Sequence, residues 1–244
     1  MVSSMGVRES RVVLNNQWPE WLKAAVVLAG MALLLWWYHH MRGRPYDLFS
    51  FNKSLAIAQV IGLCVGVALG PLCRFALGGE RWIGLRRPIC ILAVMGLVAH
   101  GTIAFFFLPK QFPWKYYTGH AVSAILGLTS LTGLLALWVI SYPAAHRRLG
   151  ARGWKWLQLL VYPLLAAGVT HFTMLDKFPN WAKWFRTLEP ALPPGTMLPF
   201  ALACLLGIIK LLDVMRHGQI VPIAADCDPQ GAREPVELGG RRRA

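Results

Sequence analysis

Two histidines lie inside long apolar segments of the sequence, where an imidazole ring needs a specific partner. His100 occupies the middle of the apolar run 96–105, and His171 lies near the end of the run 154–175. An ionisable side chain at membrane depth is costly, and by default it marks a functional site. The first question is therefore what each ring binds, and whether the two rings act together.

The composition shows which elements must hold these histidines. Of 244 residues, 56% are hydrophobic and 15% are charged, and the mean hydropathy is +0.46. A soluble domain has a smaller share of hydrophobic residues and a larger share of charged residues. Runs of roughly 20 apolar residues cross a bilayer as helices. We predict an all-α membrane protein, a six-transmembrane-helix bundle, with spans at 21–38, 55–77, 88–108, 119–140, 154–175 and 199–215.

The charge of +14 is interpreted as a signal of membrane topology. The basic residues fall mainly in the N-terminal tail, the second and fourth loops and the C-terminal tail, where positive charge retains a segment in the cytoplasm. Both termini are therefore predicted to be cytoplasmic, and binding to nucleic acid is not expected. Residues 1–20 are predicted to form a cytoplasmic or interfacial tail, 21–215 the membrane domain, and 216–244 a disordered basic tail.

Alternating spans place the two histidines at compatible depth. His100 is about 18 Å along the third span from Pro88, at about 1.5 Å per residue, and His171 lies near the outer end of the fifth. Two facing imidazoles can bind a haem iron axially. Alternatively, each ring is only hydrogen-bonded to a neighbouring carbonyl or hydroxyl. Zinc or copper would need further ligands, and a proton relay would need carboxylates that the spans almost lack.

Three other histidines have open roles. His39 and His40 end the first span beside aromatic residues, which is typical of the membrane interface, although a contact to substrate, quinone or metal is an alternative. His120 precedes the fourth span and is interpreted as an interfacial ring, an alternative ligand or a quinone contact. That span is rich in Gly, Ser and Thr, which favour close helix packing, so it is predicted to be central. A short interfacial helix is predicted within 176–194.

Several stretches together resemble a known family. They are 70–74 with 85–87, the segment around His100, 147–150, and 156–162 leading to His171. In this order they are similar to the ferric-reductase-like transmembrane domain, and more narrowly to the MsrQ/YedZ haem-binding membrane subunits of bacterial periplasmic methionine sulfoxide reductase systems. The resemblance covers about residues 55–176.

The resemblance implies a multi-pass protein of the bacterial inner membrane that binds haem b and serves as the electron-transfer subunit of an oxidoreductase system. Electrons would come from quinol or a cytoplasmic flavin reductase and pass to a periplasmic reductase. His100 and His171 match the family's outer ligands of the haem iron. Gln158 replaces a histidine common in the family, and Arg87 stands at the inner position on the third span, so one haem is expected.

Other cofactors and functions remain open at this point. Quinone is a possible second cofactor, and a role for FMN is undecided, because the chain has little sequence for a soluble domain and flavin chemistry would have to lie on another chain. His120 has no counterpart in the family pattern. Two alternative functions are a stand-alone metal-ion (ferric) reductase and a haemless transporter or scaffold on the same fold.

Overall fold

The computed structural model describes residues 18–75, 82–175 and 177–217, and within these ranges the chain forms helices and no strand. Almost all of the predicted terminal tails, 1–20 and 216–244, lies outside the described residues. The helices are α1 (Trp18–Met41), α2 (Leu48–Arg74), α3 (Ile83–Thr102, continued by a π-helical turn at Ile103–Phe107), α4 (Trp114–Gly119), α5 (Ala121–Ile140), α6 (Pro143–Gln158), α7 (Val161–Thr173), α8 (Lys177–Thr187) and α9 (Met197–His217).

The predicted membrane bundle is confirmed. Five helices are long and apolar enough to cross a membrane: α1, α2, α3 with its π-helical turn, α5 and α9. The predicted fifth span, 154–175, is interrupted, because α6 ends at Gln158 and α7 begins at Val161. Pro163 in the first turn of α7 has no N–H to continue the upstream helix, which accounts for the break. A sixth span results only if the segments Arg152–Thr173 and Phe178–Thr187 are counted together.

Two connecting segments are more ordered than a simple loop. The basic segment 146–152 was expected to be a loop, but it belongs to a helical stretch that is interrupted at Gly150, where φ is +68°. The short helix expected within 176–194 is present as α8. Its Trp181 is buried and donates its indole N–H to Thr196 Oγ1 at 3.0 Å, which fixes α8 beside the start of α9.

The centre of the bundle is α2, so the prediction that the fourth span would be central is wrong. The helices α1, α3, α7 and α9 all pack against α2. Three glycines at four-residue spacing, Gly62, Gly66 and Gly70, let the neighbouring helices approach closely. A Cβ atom at Gly66 would lie 2.6 Å from Cys90 Sγ of α3. The small residues of α5 instead face mainly one neighbour, α7.

Four helices form a ring that positions the two histidines. In this ring α3 contacts α2 and α5, while α7 contacts the same two helices. The diagonal pairs, α3 with α7 and α2 with α5, make at most marginal contact in the described part of the chain. The histidines therefore lie on helices at opposite corners of the ring.

The two ends of the ring differ in polarity. We call the end that contains Asn52, His100 and His171 the histidine end. Towards the other end the ring is filled by an apolar core from α2, α3, α5 and α7, with contributions from α1 and α9. Its largest members are Leu28, Leu63, Leu134, Leu165 and Leu206. The bundle thus has one packed apolar part and one part that holds polar side chains.

Candidate functional site

His100 is held by α2 through one nitrogen of its ring. The Nδ1 atom lies 3.1 Å from the main-chain oxygen of Asn52 and 3.0 Å from Asn52 Oδ1. A carbonyl oxygen can only accept, so Nδ1 carries the proton and donates it. The remaining nitrogen, Nε2, then has a lone pair. Asn52 itself is fully buried, which fixes the direction of the ring.

A π-helical turn follows His100 directly. The segment Ile103–Phe107 departs from the α-helical pattern one turn after the histidine. Single π-helical turns inside helices are rare and occur frequently at functional sites. Here the turn forms the last part of the spanning helix at the histidine end, and its three phenylalanines, Phe105, Phe106 and Phe107, precede the connection to α4.

His171 is held in the same way by α5. Its Nδ1 lies 2.7 Å from the main-chain oxygen of Ser123 and 3.0 Å from Ser123 Oγ. Ser123 Oγ donates in turn to the main-chain oxygen of His171 at 2.8 Å. The serine proton is therefore used, and the His171 ring must donate from Nδ1. As at His100, the lone pair is on Nε2.

The ring of His171 rests on a glycine. A Cβ atom at Gly127 would lie 2.7 Å from His171 Nδ1 and 2.9 Å from Cε1, closer than side chains approach one another. Any larger residue at Gly127 would push the imidazole away from Ser123. The local sequence of α5, with Ser123 and Gly127 one turn apart, thus supplies both the acceptor and the space for the ring.

The two imidazoles have matching chemistry at one end of the bundle. Both rings lie at the histidine end, on helices at opposite corners of the four-helix ring. In the part of the chain that the structure describes, neither Nε2 atom has a hydrogen-bond partner. The alternative interpretation, in which each ring is only hydrogen-bonded to a neighbouring carbonyl or hydroxyl, predicts the contacts seen at Nδ1. These contacts account for only one nitrogen of each imidazole. Metal-binding histidines typically donate the other ring N–H to a carbonyl or carboxylate, as these two do.

The site offers a metal two nitrogen ligands, one from each histidine. Among residues 18–75, 82–175 and 177–217 there is no group of three or more His, Cys, Asp or Glu side chains placed to hold an ion. Structural zinc sites use four such ligands, and catalytic ones use three. A haem iron needs only two from the protein, because the porphyrin supplies the others.

The other described histidines are arranged differently. His120 bonds through Nδ1 to Tyr116 O in its own turn, at 3.0 Å, and its ring packs on Tyr116. His40 is exposed and stacks on Tyr46. His39, in contrast, is buried between α1 and α2 with Nδ1 2.9 Å from Ser54 Oγ. The adjacent pair 39–40 is thus divided between the interior and the surface.

At the opposite end of the four-helix ring, the described residues include no second pair of imidazoles. Gln158 Nε2 donates to Ser141 Oγ at 3.1 Å, which links α6 to the end of α5. Arg87 is exposed near the start of α3. These are the two positions at which, according to the family resemblance, the histidines for a second haem are replaced by other residues.

Sequence reasoning identified both histidines but missed Asn52 and did not recognise the roles of Ser123 and Gly127. The signal for Asn52 was available, since the first half of α2 carries four buried polar residues, Ser50, Asn52, Ser54 and Gln59, in an otherwise apolar helix. Such residues in a membrane helix indicate hydrogen bonds to a neighbouring helix. The partners of Asn52 and Ser54, which are His100 and His39, became visible only from the packing of α2 against α3 and α1.

Among known proteins, the chain is similar to a haem-binding subunit. The chain is 30% identical over 151 residues to the protein-methionine-sulfoxide reductase heme-binding subunit MsrQ of Agrobacterium fabrum (strain C58 / ATCC 33970). The match covers 61% of this chain and 65% of that protein, so the chain spans just under two thirds of its relative's length. No family model matches the chain.

Proposed function

We propose that this protein is a b-type haem subunit that transfers electrons within the membrane to a reductase partner. The observation that carries the proposal is the matched pair of imidazoles, in which Asn52 and Ser123 occupy Nδ1 and leave both Nε2 atoms as ligands. The named function of the similar Agrobacterium protein supports the same cofactor. In this proposal His100 and His171 would hold one haem iron.

Each residue around the pair has a defined task. Asn52 and Ser123 select the tautomer, orient the rings and increase the basicity of the ligating nitrogens. Gly127 leaves room for the His171 ring. The apolar core lies next to the site, and its members include no carboxylate. The bound haem would supply one-electron redox chemistry at iron, which the side chains of this chain cannot provide.

The partners follow from the same proposal. A periplasmic reductase, such as a methionine sulfoxide reductase, would receive the electrons, and a quinol or a cytoplasmic flavin reductase would supply them. The histidine end would then face the periplasm of a bacterial inner membrane, with both termini in the cytoplasm. A single haem at that end favours a donor that reaches the same half of the bilayer.

The proposal is tested by the absorption spectrum of the purified protein before and after reduction. We expect a reducible Soret band and an α band of b-type haem, both lost in His100→Ala and in His171→Ala. His120→Ala serves as the matched control, because its ring bonds within its own turn, and it should keep the bands. A colourless wild-type protein would contradict the proposal and favour a haemless scaffold, and bleaching by His120→Ala would show that the ligand pair is wrong.

A further inference from the structure

A cluster of arginines lies in the connection between α5 and α7, at the end of the bundle opposite the histidines. Arg147, Arg148 and Arg152 fall within six residues of α6, and all three side chains are exposed. The sequence of α6 contains no Asp or Glu. The connection therefore presents three guanidinium charges at its surface without a negative charge of its own.

The carboxylates at this end of the bundle are already bonded to lysines. In the described part of the chain they belong to Glu20 of α1 and Asp213 of α9. Glu20 Oε1 lies 3.1 Å from Lys23 Nζ, and Asp213 Oδ2 lies 3.1 Å from Lys210 Nζ. Within residues 18–75, 82–175 and 177–217, the three arginines therefore form no ion pair, and an anion from outside these segments would complete them.

Two hydrogen bonds fix α6 to the end of α5. Trp154 donates its indole N–H to Ile140 O at 2.9 Å, and Gln158 Nε2 donates to Ser141 Oγ at 3.1 Å. Gly150 lies between the arginines with φ +68° and ψ 161°, a backbone conformation that is essentially limited to glycine. The arginines thus lie on both sides of a defined bend that is attached to α5.

Exposed aromatic side chains place this bend at the level of the lipid headgroups. Trp156 is 50% exposed and lies one helical turn after Arg152, so the two side chains share a face. Tyr142, just after α5, is also 50% exposed. Trp and Tyr are enriched at the membrane–water interface. A lipid beside this face would have its acyl chains next to the indole and its headgroup next to the guanidinium groups, whereas a soluble partner would leave the indole without an apolar contact.

We propose that the arginines of α6 bind the phosphate headgroup of an anionic phospholipid. Guanidinium groups bind phosphate through pairs of parallel hydrogen bonds. Clusters of basic residues beside membrane helices on the cytoplasmic side recognise anionic lipids. A zwitterionic lipid carries no net charge and would be bound more weakly. Binding of the lipid does not require haem, and only the assignment of the site to the cytoplasmic leaflet rests on the proposed function.

The test is titration of the full-length protein, freed of lipid in dodecyl maltoside, with dioleoylphosphatidylglycerol, with bound lipids counted by native mass spectrometry. The wild type should prefer this lipid to dioleoylphosphatidylcholine. Arg152→Gln should weaken the tightest binding step about fivefold, and the triple variant Arg147→Gln/Arg148→Gln/Arg152→Gln about 100-fold, because each basic residue near a membrane surface contributes a similar amount. The single variant decides the question even if the triple variant does not fold.

The matched control removes three positive charges at the histidine end. Lys110, Lys115 and Lys183 are exposed there but belong to separate segments. The variant Lys110→Gln/Lys115→Gln/Lys183→Gln should bind phosphatidylglycerol like the wild type. Glycerol 3-phosphate, which offers a phosphate without acyl chains, should not displace the lipid.

Four results would overturn the inference. They are equal affinity for the two lipids, unchanged affinity in Arg152→Gln, an equal loss in the lysine variant, and displacement by glycerol 3-phosphate, which would show that the site takes a soluble phosphate. The count of bound lipids does not depend on colour. A colourless wild type that still prefers phosphatidylglycerol through Arg152 therefore rejects the haem and retains the lipid site.

Discussion

At the scale of single residues, hydrogen bonding decides which nitrogen of each histidine can act. The sequence alone indicates that His100 and His171 need partners, because each interrupts an apolar run. It does not indicate which nitrogen is used. That choice depends on Asn52 and Ser123, each 48 positions from its histidine in the chain and brought to it only by helix packing.

The contact between the His171 imidazole and Gly127 can be tested by adding one methyl group. Gly127→Ala would place a Cβ atom 2.7 Å from His171 Nδ1, so the ring must move and its bond to Ser123 must weaken. We expect haem affinity to fall about 10- to 100-fold, the usual effect of disturbing the residues that orient a metal ligand. Haem titration of the apoprotein measures this affinity.

Gly207→Ala is the matched control for that substitution. Gly207 also lies within a helix, α9, and a Cβ atom there would have no neighbour within 4 Å. Its haem affinity should equal that of the wild type. Equal affinity of Gly127→Ala would mean that the ring of His171 is not positioned by contact with α5.

At the scale of elements, the length of the apolar runs predicted most of the spanning helices, whereas interruptions within a helix were harder to predict. Runs near 20 apolar residues predicted six spans, and five of these are single helices of spanning length. The break between α6 and α7 comes from Pro163, whose effect depends on whether neighbouring groups satisfy the carbonyl that it leaves without a donor. The central place of α2 was missed because its glycines at 62, 66 and 70 were not recognised as a packing surface.

The close approach of α2 and α3 yields a stability prediction. In Gly66→Leu the new side chain would collide with Cys90 and Ile89, whose atoms lie 2.6 Å and 3.3 Å from the first added carbon. Overpacking of this kind costs about 1–3 kcal/mol. We expect a lower midpoint of thermal unfolding in detergent, followed by tryptophan fluorescence, whereas Gly207→Leu on the open face of α9 should unfold like the wild type. An unchanged midpoint for Gly66→Leu would show that the two helices are not held together at this position.

At the scale of the whole molecule, the ring of α2, α3, α5 and α7 combines a polar histidine end with a filled apolar part. The sequence predicted six spans, of which five are single helices of spanning length, and it predicted compatible depths for the two histidines, because depth follows from position along each span. It could not predict that α3 and α7 stand at opposite corners, since helix order around a ring is set by many weak contacts. In the proposed function, the filled core leaves room for a haem only at the histidine end.

That limit predicts the outcome of introducing a histidine at position 158. In Gln158→His the new imidazole would replace a side chain that bonds to Ser141, and Leu134 and Leu165 would still fill the neighbouring interior. We expect the haem content to stay at one per chain, measured as pyridine haemochrome against protein concentration. A content of two would show that the apolar core rearranges to admit a second haem.

The central claim is that His100 and His171 bind the same iron, and the most direct test is near-infrared magnetic circular dichroism of the oxidised protein. The charge-transfer band of a low-spin ferric haem identifies its two axial ligands. The proposed geometry predicts the band of two neutral imidazoles in the wild type and its loss in both His100→Ala and His171→Ala, with His120→Ala unchanged. A band for any other ligand pair, or a two-imidazole band that survives either substitution, would contradict the claim.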